Sequence, residues 1–134
     1  MKARLMSIGL MTALLLNVVA CSSATPKELS VDITSSGKEV TLAAGGTLTV
    51  TLESNITTGY SWNETANIGD KLVLQQTGHR YEPPATPALG AGGKEVWTIN
   101  ALKAGKSTIS MEYRRPFEPG VAPAKTFTLT VVVK

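Results

Sequence analysis

From Leu29 onward the chain alternates apolar and polar residues with a period of two, broken every ten residues or so by glycine, proline, asparagine or serine. Such alternation marks half-buried strands, and the breaks mark exposed connections. Extended segments are expected at residues 29–33, 39–42, 47–53, 60–64, 71–77, 94–99, 107–113 and 125–133. No stretch of this region sustains a helical period over three turns. Seven to eight short strands with regular turn signals predict an all-β domain, an immunoglobulin-like β-sandwich. Leu48, Val50 and Leu52, Ile109, Met111 and Tyr113, and Phe127, Leu129 and Val131 form inward rows that meet across two sheets. Trp62 and Trp97 are expected in the core. The paired cysteines of antibody domains are absent, since the chain has one cysteine; the likeness is one of architecture.

The first twenty-one residues follow another rule. Met1 to Arg4 is basic, residues 5–20 carry no charge, and the segment ends Val18-Val19-Ala20-Cys21. A basic start, an apolar stretch and a small residue before the cut describe an export signal. Cys21 directly after Ala20 resembles a bacterial lipobox, so residues 1–20 are expected to be a lipoprotein signal peptide. Residues 21–28 would then be a lipidated tether and 29–134 the folded domain. Multiple acyl chains on Cys21 give stable membrane anchoring. Ser22 after the cysteine favours the outer membrane of a bacterial envelope, facing the periplasm. Two of the thirteen cations, Lys2 and Arg4, lie in the signal, and the rest nearly balance ten carboxylates. The expected domain is thus close to neutral, which argues against nucleic-acid binding.

The residues supply little for catalysis. His79 is the sole histidine, next to Arg80 at the edge of a proline-rich stretch, and reads as an exposed loop residue without a nucleophile to serve. One histidine and no free thiol argue against zinc. The acidic residues are scattered, with no pair suited to glycoside cleavage. Gly90-Ala91-Gly92-Gly93 precedes a strand rather than a helix and lacks the Lys-Ser/Thr of a phosphate loop. Neither an enzyme nor a cofactor-binding protein is expected.

Recognition by loops remains. Three connections are unusual: 55–59, with threonines beside a glycine; 89–93, rich in glycine; and 114–118, where Pro116 stiffens the chain before Phe117. Thr57 and Thr58 offer small donors, the glycines permit close backbone approach, and Phe117 is held outward as an anchor. In a sandwich, loops separated by an even number of crossings can share one end.

Asn55-Ile56-Thr57-Thr58-Gly59, Gly90-Ala91-Gly92-Gly93 and Arg115-Pro116-Phe117 occur in an order and at spacings that resemble the chagasin-type inhibitors of papain-family cysteine peptidases. The likeness extends over most of residues 29–134, including Tyr60, Trp62 and Tyr113. It implies a reversible, cleft-occluding inhibitor, expected to be a monomer. By the same resemblance, Thr57 and Thr58 would enter the middle of the peptidase cleft, Thr58 closest to the catalytic cysteine. Gly90 to Gly93 would run along the non-primed side, and Arg115 and Phe117 would lie on the primed side. Two positions depart from the family pattern. Ile56 stands where the family has proline, and Phe117 is the lesser aromatic alternative to tryptophan. Joined to the lipobox, the resemblance implies an inhibitor tethered to a bacterial envelope; the alternative is a non-inhibitory envelope lipoprotein using the sandwich for structural or adhesive binding.

Overall fold

A computed structural model describes residues 24–86 and 90–134. Within them nine strands form: β1 (Glu28–Val31), β2 (Lys38–Leu42), β3 (Thr47–Ser54), β4 (Ser61–Trp62), β5 (Asn67–Ile68), β6 (Leu74–Glu82), β7 (Gly93–Ala101), β8 (Gly105–Arg114) and β9 (Lys125–Val133). One sheet has the order β1-β3-β7-β6; the other runs β2-β9-β8-β4, with β5 also pairing to β8. The fold is all-β, with the sandwich arrangement of immunoglobulin-like domains. Pairing is antiparallel except for β1 with β3 and β2 with β9.

The inward rows are those expected from the alternation. Leu48, Val50 and Leu52 of β3 face Ile109 and Met111 of β8 and Phe127, Leu129 and Val131 of β9, all almost completely buried in one continuous core. Burying a side chain of this size contributes about 1.5–3 kcal/mol. Trp97 and Trp62 are also buried. Their indole N–H groups are satisfied, that of Trp97 by the Asn63 and Glu64 carbonyls at 3.1 Å and that of Trp62 by the Glu53 carbonyl at 2.9 Å. A buried indole needs such a partner.

Three expectations change. Asn67–Ile68, expected as a turn, is strand β5 against Ser110 and Ile109. The sixth strand begins at Leu74 rather than Lys71 and runs on to Glu82, so residues 78–82 are strand. The register slips between Gln76 and Gly78, a bulge that absorbs Thr77, and the prolines follow only at 83 and 84. An edge strand tolerates both features. His79 therefore lies on a strand, its ring 5.1 Å from Trp97 and its Nε2 3.0 Å from Oε1 of buried Glu95. The other Glu95 oxygen accepts from the Trp62 N–H at 3.0 Å. That carboxylate thus joins β7 in one sheet to β4 in the other.

Register fixes the two poles of the sandwich. Ser54 pairs with Gly93, Glu82 with Lys94, Ser61 with Arg114 and Tyr113 with Lys125 at one pole. At the other, Thr47 pairs with Asn100 and Gly105 with Val133. The Thr47 N–H donates to the Lys27 carbonyl at 2.7 Å, and the Lys134 N–H to the Leu42 carbonyl at 3.0 Å. Both ends of the described chain therefore sit at this second pole.

Candidate functional site

The three unusual connections join strand ends of the first pole, and hydrogen bonds link them. The first begins at Asn55, which caps a single 3-10 turn at Ile56–Thr58. Its Oδ1 accepts from the Thr57 N–H at 3.2 Å and from the Thr57 hydroxyl at 2.5 Å. The Asn55 carbonyl accepts from the Thr58 hydroxyl at 2.6 Å and the Thr58 N–H at 3.2 Å. Asparagine favours such a cap because its short side chain reaches the backbone two residues on. Gly59 closes the turn at φ +81°, a conformation that side-chain-bearing residues rarely take.

Asn55 also reaches outward. Its Nδ2 donates to the Gly90 carbonyl at 3.0 Å, tying the first loop to the second. Its N–H donates to the Tyr113 hydroxyl at 3.0 Å, tying the loop to the end of β8. The third loop is joined by Arg115, whose Nε donates to the Thr58 carbonyl at 3.1 Å. The guanidinium lies 4.5 Å above the Tyr60 ring, a cation–π contact, and Tyr60 stacks on Tyr113 with centroids 5.3 Å apart. Arg115 Nη1 is 3.6 Å from Glu118. The Phe117 ring leans on Gly59: a Cβ there would stand 3.1 Å from two of its carbons. Even so, Phe117 is 68% exposed and Ile56 is 50% exposed.

Of the residues singled out from the sequence, Asn55, Thr57, Thr58, Gly59, Gly90, Ala91, Gly92, Arg115, Pro116 and Phe117 thus share one end of the sandwich. Leu89, expected in the second loop, and Cys21 lie outside the described residues. Two roles are revised. Gly93 is buried at the start of β7, and a Cβ there would clash with the Glu82 carbonyl. Its bareness serves the β6–β7 pair, and the exposed glycines are Gly90 and Gly92. The two threonine hydroxyls spend their protons on Asn55, so toward a partner they can act only as acceptors rather than donors. Sequence reasoning missed the tyrosine–arginine stack beneath the loops, in which Tyr60 becomes a neighbour of the distant Tyr113 and Arg115 only through the β4–β8 pairing. Among the described residues no group of three His, Cys, Asp or Glu could hold a metal.

The profile described as "Chagasin family peptidase inhibitor I42" matches residues 41–131, which include all three loops. The chain belongs to the chagasin family of peptidase inhibitors. These proteins are inhibitors and not catalysts. Amoebiasin-1 of Entamoeba histolytica is 34% identical over 95 residues, covering 71% of this chain and 89% of that protein. Chagasin of Trypanosoma cruzi is 29% identical over 99 residues, covering 69% and 86%. Among solved structures, a cysteine protease inhibitor from Entamoeba histolytica superposes with a TM-score of 0.72 at 21% identity, covering 80% of this chain and 96% of that one. The solution structure of amebosin gives 0.61 at 30% identity, covering 80% and 98%.

The same relatives correct the second half of the sequence reading. They are proteins of eukaryotic parasites, not bacterial lipoproteins. The expected lipoprotein form, anchored through Cys21 to the outer membrane of a bacterial envelope and facing the periplasm, is therefore withdrawn, and with it the alternative of an adhesive envelope lipoprotein. The lipobox reading rested on a short local pattern around one cysteine, whereas the family rests on a match through the folded domain.

Proposed function

We propose that this protein is a reversible inhibitor of papain-family cysteine peptidases that fills the active-site cleft with its three linked loops. The observation that carries the reading is the hydrogen-bonded junction of Asn55 with Gly90 and of Thr58 with Arg115, which makes one wedge of three separate chain segments. A wedge already ordered before binding loses little conformational freedom on association. Family membership supports the peptidase as partner.

In this reading Thr57 and Thr58 enter the cleft, Gly90 to Gly92 lie along one side and Phe117 packs on the other. The first loop escapes cleavage for a geometric reason. A peptidase cleft cuts extended chain, whereas residues 56–58 form a tight turn, with the Gly59 N–H bonded to the Ile56 carbonyl at 3.1 Å. The Thr58 carbonyl, one candidate for attack, is turned inward to Arg115. Extending this loop means breaking those bonds together with the Asn55 cap. Inhibition is then by occlusion, without a covalent bond.

The test is titration of active papain with the purified protein. Hydrolysis should fall stoichiometrically, return on dilution, and leave the inhibitor chain uncut. Full papain activity at micromolar protein, or cleavage between residues 55 and 60, overturns the reading.

A further inference from the structure

The turn that carries Thr57 and Thr58 is gripped at both ends. At one end the Asn55 N–H donates to the Tyr113 hydroxyl at 3.0 Å. At the other the Thr58 carbonyl accepts from Arg115 Nε at 3.1 Å. Tyr60, half-buried just after the turn, touches both holders. Its ring stacks on that of Tyr113, centroids 5.3 Å apart and planes inclined by 25°. The Arg115 Cζ lies 4.5 Å from the Tyr60 ring centroid. Register explains the contact: Trp62 pairs with Tyr113 and Ser61 with Arg114, so the next step sets Tyr60 opposite Arg115. Tyr113 in turn packs on buried Trp62, centroids 5.1 Å apart, and belongs to the core. A column of rings thus leads from the core through Tyr60 to the third loop.

We propose that Tyr60 is a positioning residue for inhibition: its ring holds Arg115 as an internal tie on the threonine turn, and Arg115 is not a charge offered to the peptidase. The guanidinium is already committed within the chain. Nε bonds to Thr58, Nη1 lies 3.6 Å from Glu118, and Cζ rests over Tyr60. A guanidinium is planar and donates in a fixed fork, so the ring beneath it restricts the direction of Nε. Support of this kind, from a ring seated on paired strands, keeps a binding loop in one geometry. Without it, Arg115 and the turn must be ordered during association, at a cost in affinity. The assignment rests on the inhibitor reading for its consequence, but its geometry can be tested without a peptidase.

The first experiment compares NMR spectra of labelled wild type, Tyr60→Phe and Tyr60→Leu without a peptidase. The ring makes both contacts, so Tyr60→Phe should keep the wild-type amide shifts of Thr57 and Thr58 and the protected Arg115 Nε–H signal. Tyr60→Leu should move those shifts and expose the Nε proton to exchange, while the β9 amides stay in place. Unchanged turn amides and Nε–H in Tyr60→Leu overturn the positioning role. The second experiment measures papain inhibition. Tyr60→Leu should lose about tenfold in affinity and Tyr60→Phe almost nothing. Arg115→Ala should lose about as much, and adding Tyr60→Leu to it should cost little more, because both break one connection. Losses that simply multiply overturn the link between the two residues. Arg115→Lys keeps the charge but not the fork, and it decides the matter even if Tyr60→Leu does not fold. It should lose as much as Arg115→Ala, at low and high salt alike. Affinity retained by Arg115→Lys, or an Arg115→Ala loss that fades at high salt, makes Arg115 a charge contact to the peptidase and overturns the tie. Failure of the wild type to inhibit at all counts against the inhibitor reading alone, because the spectra judge the positioning separately.

Discussion

The Asn55 side chain donates a 3.0 Å hydrogen bond to the carbonyl of Gly90, a residue thirty-five positions away. With its other end it caps the turn that carries Thr57 and Thr58. One side chain therefore sets both the shape of the first loop and its distance from the second. Asn55→Ala should cost about 1 kcal/mol of stability, the usual value of a lost cap. It should raise the inhibition constant by about tenfold or more, because the two loops must then be aligned during binding. Denaturant midpoints and inhibition constants of the same preparation check both. A loss of stability with unchanged inhibition would show that the loops align without this link.

Ile56 occupies the first position of the 3-10 turn, where a backbone N–H has no partner within the turn and a proline fits without loss. Asn55 before it has φ −114° and ψ 90°, near the extended region that a following proline requires. Ile56→Pro should thus stabilise by about 0.4–1 kcal/mol through the unfolded chain. Papain should be bound several-fold more tightly. A lowered denaturant midpoint would mean that the turn needs a φ that proline cannot supply.

Phe117 is exposed but braced by Pro116 and by contact with Gly59. Phe117→Ala should leave stability within about 0.5 kcal/mol, as for most surface changes. It should weaken inhibition by about tenfold or more if the ring is an anchor. Thermal melting and inhibition assays separate the two effects. Unaltered inhibition would remove Phe117 from the binding face.

Glu95 makes the reverse prediction, large in stability and indirect in function. Glu95→Ala leaves the buried Trp62 N–H and the His79 ring without their partner and should cost about 3 kcal/mol. Glu95→Gln keeps an acceptor for Trp62 and should cost less than half as much. Denaturant unfolding of both variants is the measurement. Equal losses would show that charge, not the bond to β4, is what the site requires.

Much of this was legible in the chain because a two-faced sheet writes itself as alternation. Leu48, Val50 and Leu52 could hardly face anywhere but inward, and the glycine and proline clusters could hardly be strand centres. Asn67–Ile68 was not legible, because a two-residue strand is too short to alternate. Residues 78–82 were misread for another reason: the bulge at Thr77 shifts the period, and the nearby prolines suggest an earlier break. The loop motifs stood in the sequence, but the bonds that join them did not. The direction of the threonine hydroxyls was likewise hidden, since it depends on where the Asn55 oxygens end up.

The parallel pairing of β1 with β3 brings Lys27 to the pole away from the loops, beside Lys134. A dye or carrier coupled to Lys27 or Lys134 therefore sits away from the three loops. Immobilised on a sensor chip through either of these two lysines, the domain would still turn its three loops to whatever flows past.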